Sequence, residues 1–286
     1  MSDWMDEVYE GTSRFGLKIK RRIVDTRSEF QQITIVETAA LGRALLLDGM
    51  YMTAEKEEAT YHEMLVHPAL VTAPHIRRVL VVGGGDGGAV REVLRHPEVQ
   101  ELDLVEVDAQ VVTLCREHLP RIGTAWQDPR LTVHFGDGAQ WVRDCAPEYY
   151  DVILVDGSDP VGPAKALFGT AFLKGCADAL TPDGVFAAQA GSPLLQRDVH
   201  LDLLRTLRRF FHQARPYYGP VSIYPGGAWS WVWATNGATR ADRPAGAALD
   251  RLLQLERSEP SCQYYNRDIH QGAFALPNHI RRALEA

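Results

Sequence analysis

The chain has 286 residues, 45% of them hydrophobic and 23% charged, so a disordered chain and a disulfide-stapled mini-protein are both excluded and a large buried core is expected. Thirty basic against 37 acidic residues leave a net charge of -7, which argues against generic nucleic-acid binding and favours small cationic partners. Cys115, Cys145, Cys176 and Cys262 lie far apart with no CxxC or Cys/His ligand spacing, so reduced thiols and no metal site are expected.

The acidic start MSDWMDEVYEG has no apolar signal region, and no apolar run reaches the about 18 residues of a membrane span. A cytoplasmic protein without a membrane partner is expected. Residues 17–53 alternate and carry β-branched clusters (LKIKRRIV, FQQITIVE, RALLLDGMYMT), with turn cues at Gly42 and Asp48-Gly49, which predicts a small antiparallel β domain over residues 1–54. The basic run LKIKRR falls inside this alternation and reads as a solvated or interface face. From Lys56, Tyr61, Met64, Leu65 and Ala69 keep a helical period up to Pro74. That helix opens a second domain, residues 55–286.

From Arg77 the pattern is RVLVVGGG, GGAVREVLRH, ELDLVEVD, AQVVTLCREHL: short apolar strands alternating with helices. This predicts an α/β fold with a Rossmann-like, doubly wound parallel sheet of the class I methyltransferase type. Strands follow at LTVHF, YDVILVD and GVFAAQ, with helices near 138–144, 170–180 and 196–211. WSWVWAT reads as a late strand of an antiparallel pair, its Trp229, Trp231 and Trp233 serving the core or a subunit contact. A polar loop near 238–246 and two short helices close the chain.

Gly83 to Gly88 contain G-x-G-x-x-G between a strand and a helix, where Gly83 and Gly85 permit close backbone approach to a ligand and the helix start offers free N–H groups. Alone, such a hexamer can be a helix-packing turn. Glu106 lies 20 positions after Asp86 at the end of the next strand, placed to accept both hydroxyls of a ribose. Asp137-Gly138 and then Asp156-Gly-Ser-Asp159 end the following strands. An Asp before Gly can reach an adenine amino group, and a carboxylate pair at the next strand end sits where ligands bind open α/β sheets. This order favours an adenosyl sulfonium over a dinucleotide. Asp86 would repel the carboxylate of S-adenosylmethionine and attract the bare ammonium of its decarboxylated form.

Together FQQITIVET, GRALLLDG, TYHEMLVHPAL, VLVVGGGDGG, LVEVD, GDG, YDVILVDGSDPVGPA and YYNRDIHQGAFALP resemble the polyamine aminopropyltransferases, the spermidine synthase family, over nearly the whole chain. The resemblance implies decarboxylated S-adenosylmethionine as co-substrate, no cofactor, release of 5'-methylthioadenosine, and a homodimer or homotetramer. It implies donor contacts from Gln31, Asp86, Glu106, Asp137, Gly138 and Pro163. His62, Asp86, Tyr61, Asp159 and Tyr224 would serve the acceptor amine, and Asp156 would take its proton. An ammonium with a pKa of about 10.4 must be deprotonated before it attacks, and a carboxylate aided by the Tyr61 and Tyr224 hydroxyls can do this without a metal or covalent intermediate.

Two departures fall on the acceptor side: Met52 stands where the family commonly has Gln, and Gly157 stands in the usual DSSDP or DSTDP run. Putrescine is the leading acceptor, with agmatine, cadaverine or spermidine as alternatives. The other readings are an ordinary S-adenosylmethionine methyltransferase and an inactive nucleoside-binding regulator. Asp156 and Asp159 could instead cap a turn, His62 could be a helix-packing residue, and His67, His96 and His270 read as structural or exposed. Residues 157–168, with Gly157, Pro160, Gly162 and Pro163, are expected to form a loop that closes over bound amine.

Overall fold

The structure is a computed structural model that describes residues 3–159 and 162–285, excluding the side chains of Gly162, Pro163 and Glu285. Among the described residues the N-terminal sheet has five antiparallel strands in sequential order: β1 (Trp4–Tyr9), β2 (Ser13–Arg27), β3 (Gln32–Thr38), β4 (Arg43–Leu47) and β5 (Met50–Ala54). The sheet thus begins earlier than the alternation from residue 17 indicates. β1 pairs with the first half of β2, from Trp4 opposite Lys18 to Tyr9 opposite Ser13. Its WMDEVY sequence lacks the branched apolar pattern of a buried strand, because most of it stays partly exposed. Lys18, Lys20, Arg21 and Arg22 on β2 are exposed, as a solvated face requires.

Helix α1 (Ala59–Thr72) is buried along almost its whole circumference, including Glu63 and His67. The expected single apolar face is therefore an understatement, since α1 runs between the second sheet and helices α2 (Gly88–Leu94) and α7 (Ala247–Glu256). Burial leaves its last carbonyls without water, and Arg251 supplies the donors: its guanidinium bonds Leu70 O and Ala73 O and pairs with Glu98. Three backbone N–H groups, those of Gln263, Tyr264 and Tyr265, donate to the Glu63 carboxylate and fix the C-terminal segment to the helix.

The second sheet contains, among the described residues, β6 (Arg78–Gly83), β7 (Glu101–Glu106), β8 (Leu131–Phe135), β9 (Tyr150–Asp156), β10 (Leu180–Gln189), β11 (Gln213–Pro220) and β12 (Ala228–Thr235). Their order is β11-β12-β10-β9-β6-β7-β8, with β6 to β10 parallel and β12 antiparallel to both its neighbours. The late strand is thus paired as expected. One face carries α1, and the other carries α4 (Gly138–Asp144), α5 (Thr170–Ala179) and α6 (Arg197–Leu207). Trp231 and Trp233 are fully buried.

Helix α3 (Ala109–His118) packs through Val111 and Cys115 on Ile33, Ile35 and Leu45, joining the two sheets through one apolar seam. At the C-terminus α8 (Arg267–Ala273) and α9 (Asn278–Glu285) follow α7, so the described residues contain three helices there where two are expected. Asn266 caps α8 by accepting from the N–H groups of Asp268 and Ile269. In the expected closing loop, Gly162–Phe168 form a 3-10 turn; Pro160 and Val161 lie outside the described residues, as does the side chain of Pro163.

Candidate active site

Strand order reverses between β6 and β9, and Gly83 and Asp156 stand opposite each other in register at that point. Side chains cannot fill the crevice left where the crossovers diverge, so a ligand can. Here a cavity of about 430 Å³ opens. Gly83 has φ +80°, and a Cβ there would come within 2.3 Å of the Asp156 carbonyl oxygen, so only glycine fits the turn. The N–H of Gly84 donates to that same oxygen at 2.9 Å, tying the glycine turn to the end of β9.

Gln31, Gly83, Gly85, Asp86, Glu106, Asp137 and Gly138 line the cavity, as do Tyr61, His62, Asp156, Asp159 and Tyr224. The structure thus brings together every residue singled out from the sequence except Pro163, whose side chain is outside the described set. Glu106 accepts the Asp108 N–H at 3.0 Å, and burial raises its carboxyl to about 7. Asp108 in turn accepts from the amide of Gln31 at 3.0 Å, which holds Gln31 against this end of the pocket. Asp137 also caps α4, its Oδ1 accepting from the N–H groups of Ala139 and Gln140.

Asp156 has its Oδ1 bonded by the Tyr61 hydroxyl at 2.8 Å, while Oδ2 is shielded from water and has no hydrogen-bond partner among the described residues. Burial raises its carboxyl to about 6; the positive charge of His62 opposes the rise and the negative charge of Asp86 adds to it. The Tyr224 hydroxyl donates to the Met52 carbonyl at 2.6 Å, so toward a ligand it can offer its oxygen only as an acceptor. The rings of Tyr61 and Trp229 flank Tyr224. Asp159 accepts from Gln196 and is raised by burial.

Several lining residues have no site role in the sequence reading, among them Glu7, Gln189 and Trp229. Glu7, on β1, is buried and accepts the Tyr51 N–H at 2.8 Å; burial raises it, and the charge of Asp159 adds to the rise. Gln189, at the end of β10, donates to the carbonyls of Gly157 and Ser158 and so fixes the start of the loop after β9. Trp229 closes the wall behind Tyr224. The acidic β1 carried a usable signal for Glu7 only in hindsight of its pairing with β2.

A second titratable group forms away from the cavity, where His67, Glu92 and Cys262 approach within 4.8 Å. Its members come from three segments, which is why spacing along the chain gives no hint of it. Burial opposes the charge of Glu92, but His67, Arg91 and Arg95 hold it well below the usual carboxylate range. Burial pushes the Cys262 thiol up to about 12. His96 can donate to His67 and His67 to Glu92, so the polar atoms are met without a cation. His67, His96 and His270 are all buried and structural in placement.

The reversed strand order, the glycine turn and the carboxylate at the end of β7 define a Rossmann-like fold of the methyltransferase type. Residues 58–242 match the spermine/spermidine synthase domain, and residues 3–55 match the spermidine synthase tetramerisation domain. A polyamine aminopropyltransferase of Prochlorococcus marinus (strain MIT 9313) is 46% identical over 98% of this chain and 96% of its own length. Another, from strain NATL1A, is 43% identical over 99% and 96%.

Among solved structures, a spermidine synthase in complex with the transition state analogue AdoDATO superposes with a TM-score of 0.91 at 35% identity, covering 99% of this chain and 94% of that one. The spermidine synthase of Thermotoga maritima gives 0.90 at 34%, with the same coverage. The chain belongs to the spermine/spermidine synthase family and is an aminopropyltransferase of polyamine synthesis. Among the described residues no helix is long and apolar enough to cross a membrane.

Proposed function

We propose that the enzyme transfers the aminopropyl group of decarboxylated S-adenosylmethionine to putrescine, giving spermidine and 5'-methylthioadenosine. The observation that carries this reading is Asp156 Oδ2, unpartnered among the described residues, at the switch point between the nucleoside end and the aromatic end of one cavity. Glu106 and Gln31 receive the ribose, Asp137 and Gly138 the adenine, and Gly83 and Gly85 let the backbone approach the sulfonium. Asp86 and His62 stand beside the aminopropyl chain.

The acceptor enters against Tyr61, Tyr224 and Asp159. Its attacking nitrogen gives a proton to Asp156 Oδ2, and the lone pair so freed displaces the thioether from the methylene beside the sulfonium. A carboxyl near 6 is mostly ionised at neutral pH yet basic enough to take that proton. The sulfonium leaves as a neutral thioether, so the reaction itself calls for no metal, cofactor or covalent enzyme intermediate.

Glu7 and Asp159 add two carboxylates beyond the reacting centre, which suits an acceptor with a second ammonium a short carbon chain away. A methyltransferase would have to seat an amino-acid carboxylate beside Asp86, against its charge. A homodimer or homotetramer formed through the N-terminal sheet and a cytoplasmic location belong to the same proposal, supported by the match of residues 3–55 and by the redox state expected of the cysteines.

The test is a product assay with decarboxylated S-adenosylmethionine and a panel of putrescine, cadaverine, agmatine and spermidine, read by mass spectrometry. Spermidine from putrescine as the dominant product is expected. Another amine consumed faster overturns the acceptor, and methyl transfer from S-adenosylmethionine overturns the donor.

A further inference from the structure

His62 stands at the meeting of two buried charge systems. Its Nδ1 lies 2.6 Å from Glu58 Oε2, and both oxygens of Glu58 accept from the Arg91 guanidinium at 2.9 Å. A carboxylate gripped on both oxygens by a guanidinium is ionised. The proton between Glu58 and His62 therefore stays on Nδ1, and the tautomer is fixed. Nε2, the only ring atom left to gain or lose a proton, points to Asp86 Oδ2 at 3.4 Å.

The ring cannot turn away. It lies over Gly88, where a Cβ would come within 2.2 Å of it, and it packs nearly perpendicular to the Tyr61 ring with centroids 5.2 Å apart. Asp86 is equally held, because its Oδ1 accepts the Gly88 N–H at 2.8 Å.

We propose that His62 Nε2 is a proton-exchange site: it carries a proton onto Asp86 in the empty pocket and releases it to solvent when the ammonium of the aminopropyl donor takes its place. Glu58 and Arg91 are then positioning residues for this exchange. The inference rests on the pocket being the donor site.

The groups around the ring are Glu57, Glu58 and Tyr61 on its own segment, Asp86 on the glycine turn, Arg91 on α2 and Asp156 at the end of β9. Burial opposes a charged imidazole, but Asp86 and Glu58 together hold it well above its ordinary value. The nearest ligand-facing atoms of His62, Asp86 and Asp156 all lie within 4.8 Å of one another. Two cations about 4 Å apart in a partly shielded site repel enough to weaken proton binding by about a thousandfold. One N–H bond of the ring breaks, water takes the proton, and the Nε2 lone pair becomes an acceptor for an ammonium N–H.

The experiment is calorimetric titration of the full-length protein with decarboxylated S-adenosylmethionine at neutral pH, in two buffers of different ionisation enthalpy. About one proton released per donor is expected, with donor affinity rising about tenfold per pH unit while His62 remains charged in the free protein. 5'-Methylthioadenosine, which shares the contacts to Glu106 but lacks the ammonium, should release about none by the same linkage. Asp156→Asn should keep the release and His62→Gln should lose it.

Donor binding without release, or equal release from His62→Gln, overturns the exchange and leaves the pocket assignment standing. Failure of both nucleosides to bind overturns the pocket assignment and the exchange with it. Should His62→Gln not fold, the ring carbon resonances of His62 in labelled wild-type protein decide: charged when empty and neutral with donor is expected, and no change on binding overturns the exchange.

Discussion

At the end of the cavity proposed for the nucleoside, Gly83, Glu106 and Asp137 stand at or just past the carboxyl ends of the three neighbouring parallel strands β6, β7 and β8. At the end proposed for the amine, Glu7, Met52, Gln189 and Tyr224 come from four segments spread over most of the chain. The first set inherits its spacing from backbone ladders, which hold adjacent strands about 4.8 Å apart whatever the side chains are. The second set exists only because the N-terminal sheet docks over the second one through Ile33, Ile35 and Leu45 on α3. A change in that docking would move Glu7 and Met52, and Gln31 with them, and leave Gly83, Glu106 and Asp137 in place.

The sharpest way to break this division is Asp156→Asn, which sits on the boundary between the two ends. It removes the proposed base with little change of shape, so kcat should fall by about 10² to 10⁴ while donor affinity stays within severalfold. Equal losses in binding and rate, from calorimetry beside steady-state kinetics, would make Asp156 a structural carboxylate. Asp86→Asn comes next. Loss of a charge-assisted contact should weaken the decarboxylated donor by about tenfold to a hundredfold and leave 5'-methylthioadenosine nearly unchanged; parallel losses for both ligands would remove its electrostatic role.

The pH profile of kcat follows, read at saturating donor so that proton exchange at His62 on binding does not enter it. Asp156 must be ionised to accept a proton, and its carboxyl lies near 6, so the rate should rise about tenfold per pH unit below that point. The break in slope near that point should vanish in Asp156→Asn, leaving one continuous rise set by deprotonation of the amine itself. Persistence of the break in the variant would assign it elsewhere. The smallest effect is expected for Glu7→Gln: an isosteric loss of charge at the far amine end should raise KM for a diamine by about tenfold with kcat little changed. A fall in kcat alone would place Glu7 at the reacting centre and erase the division between the two ends.

Much of the second sheet was legible because its strands are short apolar runs separated by amphipathic helices, a period change that survives without tertiary context. The exceptions have physical causes. β1 was invisible because a partly exposed edge strand needs no apolar alternation. The depth of α1 was underestimated because the charged Glu63 and the polar His67 look solvent-facing until Glu63 is seen accepting three backbone N–H groups and His67 bonding Glu92. Glu58 and Arg91 carried no signal either, since 33 positions separate the members of that pair.

The sequence by itself determined the parallel sheet, the glycine turn and the carboxylates at the strand ends, because each depends on residues within one strand-turn-helix unit and on backbone geometry common to all such units. Only the tertiary structure decided which of those carboxylates is left without a partner, where Glu7 and Tyr224 meet, and which nitrogen of His62 is free to titrate. Those are properties of desolvation and of charges brought close from distant segments, and neither is written in any local stretch of chain.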